Sequence, residues 1–437
     1  MCKSKTSTDV IEPKKSNSGI SATTRPSQTS RQKSSEPYRS LKSSDPSTSG
    51  IYNTGSSYKD SWKSSTSSQT SLSSLRESLP ENAHIYEVSE ICSATGNFMA
   101  KRFSSSSSST AWRCVIRGKD VIVFQRKFRR PFDTAVLHER LSLICRSHHS
   151  SLIKLRGASI SGNYIYLVYD YVHGANLADC LRNPKSPNYT VLSNWMSRIQ
   201  IAADLSHGLD YIHHCTGLNK FVHNHIRSSS IIVTEPSLNA KICQFGTAEL
   251  CGEIIEDQEI ETAENSNSGS KLLGLKRSDS RLLKFEGTRG YMSPEFQVTG
   301  IATPKSDVYA FGVVILELLS GEEPLKYRFD DDEGGGYKRI SVIETAREAV
   351  EGGDEGGSGC GGGRLRRWVD RRLKDSYSVE VAEKLTRVGL DCVEEDPVKR
   401  PDMGWVAGRI SKLYLESKTW AEKLGVPTDF TVSLAPR

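Results

Sequence analysis

No stretch of this sequence comes near the ~20 consecutive apolar residues that a membrane-spanning helix requires. Its longest apolar run, Val308 to Leu319, contains Glu317 and sits beside Asp307. The first residues carry no apolar segment and position 2 is Cys rather than Gly, so neither a secretory signal nor N-myristoylation is expected. The 10 cysteines show no C-x-x-C spacing. Neither a zinc site nor a disulfide framework is indicated, and a reducing compartment fits best. Hydrophobic residues make up only 36% of the 437, below the globular average, so part of the chain is expected to stay unfolded. Concentrated basic charge is missing as well. Residues 1–84 hold 12 Lys/Arg against 7 Asp/Glu, which accounts for most of the net +6. The remainder is near neutral, which argues against a nucleic-acid-binding domain.

What is present divides the chain. Residues 1–84 are dominated by Ser, Thr, Lys and Pro; they cannot bury enough apolar surface to offset their ordering entropy and read as a disordered tail. Cys2, beside Lys3 and Lys5, is a candidate for acylation and so for peripheral membrane contact. From Ile85 onward the pattern changes. A short helix is expected at Tyr86–Phe98, and strands at Trp112–Ile116, Val121–Phe124, Ile153–Leu155 and Tyr164–Tyr169, with a helix over Ala135–Cys145. Strands with one inserted helix imply a small antiparallel sheet packed on that helix. After residue 193 the chain turns helical. Ile199, Ala202, Leu205, Leu209 and Ile212 form one apolar face. Ser306–Leu319 is apolar nearly all round and must be buried on most sides. Two polar segments, Cys251–Lys284 and Gly334–Gly363, read as flexible loops. The expected organisation is a tail (1–84), a sheet-rich lobe (85–172), a helical lobe (173–415, with inserts 251–284 and 330–363) and a C-terminal tail (416–437).

The most specific motif is Gly287-Thr288-Arg289-Gly290-Tyr291-Met292-Ser293-Pro294-Glu295. It is followed by Lys305-Ser306-Asp307-Val308-Tyr309-Ala310-Phe311-Gly312 and by Asp396-Pro397-Val398-Lys399-Arg400-Pro401. Together with Val168-Tyr169-Asp170-Tyr171-Val172 and Gly208-Leu209-Asp210-Tyr211-Ile212-His213, these resemble the plant receptor-like protein kinases, and among them the lysin-motif receptor kinases. The resemblance runs from about Ile85 to Leu415 and implies the α+β, bilobal protein-kinase fold. It also implies structural roles: Glu295 paired with a buried Arg400, Asp307 accepting backbone N–H groups of the catalytic loop, His223 holding that loop, and Phe245 and Gly246 packing.

Phosphoryl transfer in that family needs a glycine-rich loop, a strand Lys positioned by a helix Glu, two metal ligands and a proton-accepting Asp. Each position is altered here. The glycine positions fall on Ser104, Ser106 and Ser109, whose Cβ atoms hinder close approach of backbone to phosphate. Phe124 stands at the strand Lys, with Arg126 on the same face two residues on. Arg126 could substitute for the Lys, although the run Arg126-Lys127-Phe128-Arg129-Arg130 reads better as a solvated basic edge. The helix Glu aligns with Arg140, or with Glu139 after one gap. His225 replaces the proton-accepting Asp, Arg227 keeps a positive charge, and Ser230 and Gln244 replace the metal ligands. Gln lacks the charge that a hard Mg²⁺ site wants.

The resemblance, with these departures, implies a pseudokinase: a scaffold or allosteric partner of an active receptor-like kinase or another signalling protein, in the cytoplasm or at the inner face of the plasma membrane. No cofactor is expected, though weak or metal-independent ATP binding stays open. The alternatives are an atypical Ser/Thr protein kinase working through His225 and Arg126, and a decaying duplicate. Phosphorylation by a partner kinase is expected either within Arg277-Ser278-Asp279-Ser280 or in the N-terminal tail.

Overall fold

A computed structural model describes residues 83–105, 109–130, 133–185, 192–214, 221–254, 287–330, 336–351 and 362–424, all within one unit of the chain, Thr66–Arg437. The expectations for the N-terminal tail up to residue 82, for Cys2 and Ser106, for the insert over 255–284 with Ser278 and Ser280, and for the C-terminal tail beyond residue 424 lie outside the described residues.

The sheet-rich lobe holds β1 (His84–Ile85), α1 (Val88–Ala94), β2 (Ser104–Ser105), β3 (Ser109–Ile116), β4 (Lys119–Lys127), α2 (Thr134–Arg146), β5 (Leu155–Ser161) and β6 (Tyr164–Asp170). The strands form one sheet in the order β1-β5-β6-β4-β3-β2, antiparallel except for the β1–β5 pair. Alternation along the strands divides its residues between two faces. Val121, Val123, Tyr166 and Val168 pack with Ile91 of α1 on one face. Leu155, Ile165, Leu167 and Tyr169 pack with Leu137, Leu141 and Ile144 of α2 on the other. Phe124 sits at the edge of this second group, and the same parity carries Arg126 to that side. Gly157 lets β1 lie against β5, since a Cβ there would run into the carbonyl oxygen of His84. The first helix is shorter than expected, with Tyr86 and Phe98 flanking it as packing residues.

The helical lobe begins with β7 (Gly174–Asn176), α3 (Leu177–Arg182) and α4 (Trp195–His214). Asn194 starts α4 by accepting the Met196 N–H at 2.7 Å. β8 (Ile231–Thr234) and β9 (Ala240–Ile242) complete a three-stranded sheet with β7. After them come α5 (Thr247–Leu250), α6 (Pro294–Thr299) and α7 (Pro304–Ser320). A Thr303–Ser306 capping box opens α7 and Gly321 in the left-handed region closes it. Fourteen of its residues are buried, as its all-round apolar pattern requires.

β10 (Leu325–Asp330), β11 (Gly336–Ser341), α8 (Val342–Glu351), α9 (Gly362–Trp368), α10 (Val379–Cys392) and α11 (Met403–Lys423) follow. Two expectations are corrected here. The segment expected as a flexible insert, 330–363, contains a strand and a helix. Glycine clusters on either side mask the amphipathic stretch whose Val342, Ala346 and Ala349 are buried. The lobe also does not end at Leu415: α11 continues through Lys423, and Trp195 Nε1 donates to Ser417 Oγ at 3.0 Å.

Candidate functional site

The site lies where β4, the loop 221–230 and the segment after β9 meet. Asp307 in the first turn of α7 fixes the loop. Its Oδ2 accepts the His223 N–H at 2.6 Å and its Oδ1 the Asn224 N–H at 2.8 Å. His223 is fully buried. Its Nε2 lies 3.0 Å from the Cys243 carbonyl and its Nδ1 accepts the His225 N–H at 3.2 Å. One ring nitrogen donates and the other accepts, so the imidazole is neutral; burial pushes its pKa down to about 4. Asn224 adopts φ 61°, a left-handed conformation that Asn tolerates. Behind the loop, Arg400 donates to both carboxylate oxygens of Glu295, at 2.7 and 2.8 Å.

The proton-acceptor position, His225, faces neither solvent nor an open carboxylate. Its Nε2 lies 2.8 Å from Arg126 Nη2 and 2.9 Å from Glu253 Oε2. Arg126 Nη2 donates to Glu253 Oε1 at 3.1 Å, and Asn224 Nδ2 donates to Glu253 Oε2 at 3.1 Å. A single nitrogen atom can either donate to Glu253 or accept from Arg126, so His225 serves the pair in either tautomer. Burial pushes the Glu253 carboxyl up, but His225, Arg126 and Asn224 outweigh it and hold the pKa down at about 2. Arg126 is therefore no solvated edge: its side chain is 4% exposed and that of Glu253 8%.

Other positions surround this cluster. Phe124 meets Tyr169 edge to face at 5.7 Å. The Tyr169 hydroxyl donates to the Phe245 carbonyl at 2.7 Å, and the Phe245 ring lies 5.1 Å from that of Phe221. Gly246 has φ 83°, and a Cβ there would meet Ile144 at 2.6 Å, so only Gly lets the chain turn against α2. The turn leads into α5, where Glu249 pairs with Arg140 at 2.7 Å. Arg140, not Glu139, thus faces the site; Glu139 is exposed. The Arg129 N–H donates to the Cys251 carbonyl at 2.9 Å. Arg227 Nη1 donates to Thr288 Oγ1 at 2.7 Å, away from the cluster. Ser104 lies in β2 and Ser109 opens β3.

The residues present do not fit a magnesium ion. Ser230 turns its hydroxyl to the carbonyls of His225 and Arg227, at 2.6 and 3.0 Å. Gln244, at φ 63°, is a neutral amide. The nearby carboxylate, Glu253, is already neutralised by Arg126, whereas Mg²⁺ needs anionic oxygens in open octahedral geometry. Among the described residues no group of three or more His, Cys, Asp or Glu is placed to hold a metal. Sequence reasoning missed Glu253, Glu249 and the side chain of Asn224. Both glutamates sit in or beside a polar stretch that reads as loop, and only the inward turn at Gly246 brings them to the cleft.

Comparison with known proteins agrees with this architecture. The chain is 30% identical over 351 residues to LysM domain receptor-like kinase 3 of Arabidopsis thaliana, a match that covers 79% of this chain and 48% of that protein. It is 28% identical over 359 residues to Protein LYK5 of Arabidopsis thaliana, covering 82% and 47%. The chain thus spans about half the length of the curated relatives it matches. In fold it resembles the pseudokinase domain of BIR2, an immune regulator of the RLK/Pelle family, with a TM-score of 0.55 at 20% identity over 82% of this chain and 99% of that one. Its homologues are plant LysM receptor-like kinases, and with the protein kinase domain matching residues 107–403, the chain belongs to the protein kinase domain family.

Proposed function

We propose that this kinase-fold domain transfers no phosphate and signals by binding, as a pseudokinase scaffold or allosteric partner of an active receptor-like kinase or another signalling protein. One observation carries the reading. The buried cluster of Arg126, His225, Asn224 and Glu253 fills the place where phosphates, metal and a proton acceptor would have to meet. The frame around it is kept by Asp307 and by the Glu295–Arg400 pair, which supports a stable binding module. Among the described residues Cys92, Cys114, Cys145, Cys180, Cys243 and Cys392 form no disulfide, which supports a reducing compartment, the cytoplasm. No helix among the described residues is long and apolar enough to cross a membrane.

The test is thermal unfolding of the full chain with ATP, with and without Mg²⁺ or Mn²⁺, alongside a phosphotransfer assay. A ligand that binds only the folded state at a hundred times its Kd adds about 2.7 kcal/mol. We expect no metal-dependent shift and no transfer. A metal-dependent shift together with transfer that disappears in His225→Ala would establish instead the atypical Ser/Thr kinase, with Arg126 in place of the strand Lys.

A further inference from the structure

Two fixed donors and one imidazole, from two separate parts of the chain, converge on the carboxylate of Glu253. Arg126 comes from β4, and Asn224 and His225 come from the loop braced by Asp307; they stand 2.9 to 3.1 Å from the carboxylate oxygens. Arg126 and Glu253 are more than nine-tenths buried. A guanidinium with neighbouring N–H donors recognises carboxylate and phosphate oxygens by the same charge-assisted geometry. The carboxylate reaches the donors because the chain turns at Gly252, φ 70°, directly after Cys251 is tied to Arg129. The donor set stabilises an anion strongly enough to overcome burial, as the lowered pKa of Glu253 reflects.

We infer that Arg126, His225 and Asn224 form a metal-independent phosphate-binding site, and that Glu253 is its built-in competitor. This rests on the reading above, in which Glu253 closes the cleft. The ligand is a phosphate group, whether carried by a nucleotide or by inorganic polyphosphate. The positive charge comes from Arg126 instead of a metal ion, which explains why the metal-ligand positions can hold Ser230 and Gln244. While the carboxylate is seated, only the small fraction of molecules with it displaced can bind, and apparent affinity falls by that fraction.

The test uses the full chain in EDTA, titrated calorimetrically with tripolyphosphate and separately with ATP. Glu253→Gln keeps the size and removes the charge. It is expected to bind tripolyphosphate at least about tenfold more tightly than the wild type, a difference of about 1.4 kcal/mol. Adding Arg126→Met is expected to abolish the gain. Equal gains for both ligands identify the bare phosphate as the recognised group; a larger gain with ATP identifies the nucleotide. No gain in a Glu253→Gln protein that melts cooperatively overturns the proposal, as does a gain that survives Arg126→Met. Should Glu253→Gln not melt cooperatively, hydrogen exchange of the wild type decides. Faster exchange at the Cys251 and Glu253 amides with millimolar tripolyphosphate supports displacement, and unchanged exchange overturns it. These results are independent of the metal-dependent ATP shift that would overturn the proposed function, because metal is absent throughout.

Discussion

Arg400 and Arg126 are both buried arginines that clasp a glutamate, one in the helical frame and one in the cleft. Arg400 meets Glu295 with both terminal nitrogens and also donates to the carbonyls of Lys305, Glu394 and Glu395. Its partners sit in or beside the motifs that carry the family resemblance. Arg126 meets Glu253 and His225, and neither contact belongs to such a motif. The frame holds the charges that the resemblance implies, Glu295, Asp307 and Arg400. The cleft holds a self-contained set instead, Arg126, His225 and Glu253. On the function proposed above, phosphate chemistry is absent because the cleft is rewired while its frame is kept, and the two regions should respond differently to substitution.

The largest expected effect is in the frame. Arg400→Met leaves Glu295 without its cation and three carbonyls without the guanidinium N–H groups they accept from, and should destabilise the protein by about 3–5 kcal/mol. Urea unfolding measures it. A loss under about 1 kcal/mol would mean the pair contributes no more than an exposed salt bridge, and the distinction between frame and cleft would have to be redrawn.

Next come two buried glutamates that titrate in opposite directions. Glu253 has a folded pKa of about 2 against an ordinary 4.5. Its contribution is present above about pH 4.5 and is lost as pH falls toward 2, amounting to about 3 kcal/mol. Glu317 in α7 is different. Burial raises its pKa to about 7 despite Arg182 at 2.8 Å and hydroxyls from Ser228 and Tyr291. Its contribution is fully present below about pH 4.5 and is lost as pH rises through 7, by a similar amount. Unfolding measured against pH for the wild type, Glu253→Gln and Glu317→Gln isolates each group. The wild type should lose stability relative to Glu253→Gln on the acid side. It should lose stability relative to Glu317→Gln between pH 4.5 and 8. Parallel curves would show that neither carboxyl is shifted.

Much of the frame was legible in the sequence because its signals are local. The apolar faces of α4 and α7 announce burial by their spacing, and Glu295, Asp307 and Arg400 stand in dense motifs. The helix α8 was hidden because glycines on both sides of Val342–Glu351 outweigh a short amphipathic pattern. In the cleft, alternation along β4 correctly put Arg126 beside Phe124, but the basic run through Arg130 suggested solvent. Burial of Arg126 depends on Glu253, some 127 residues away in sequence, and on the turn at Gly246 against Ile144. No local pattern encodes such a contact.

The smallest effect tests whether the cleft network extends to α2. Arg140 pairs with Glu249 at 2.7 Å, with side chains 21% and 11% exposed. Partial exposure screens the pair, so its coupling energy in a double-mutant cycle of Arg140→Ala and Glu249→Ala should be about 1 kcal/mol. The pair holds α5 against α2, and α5 leads directly to Glu253. If that tether positions the carboxylate, Arg140→Ala should also speed hydrogen exchange at the Glu253 amide while leaving the Asn224 amide, held by Asp307, unchanged. Equal acceleration at both would mean that the cleft and its frame open as one unit, and that the contrast between Arg126 and Arg400 is one of chemistry alone.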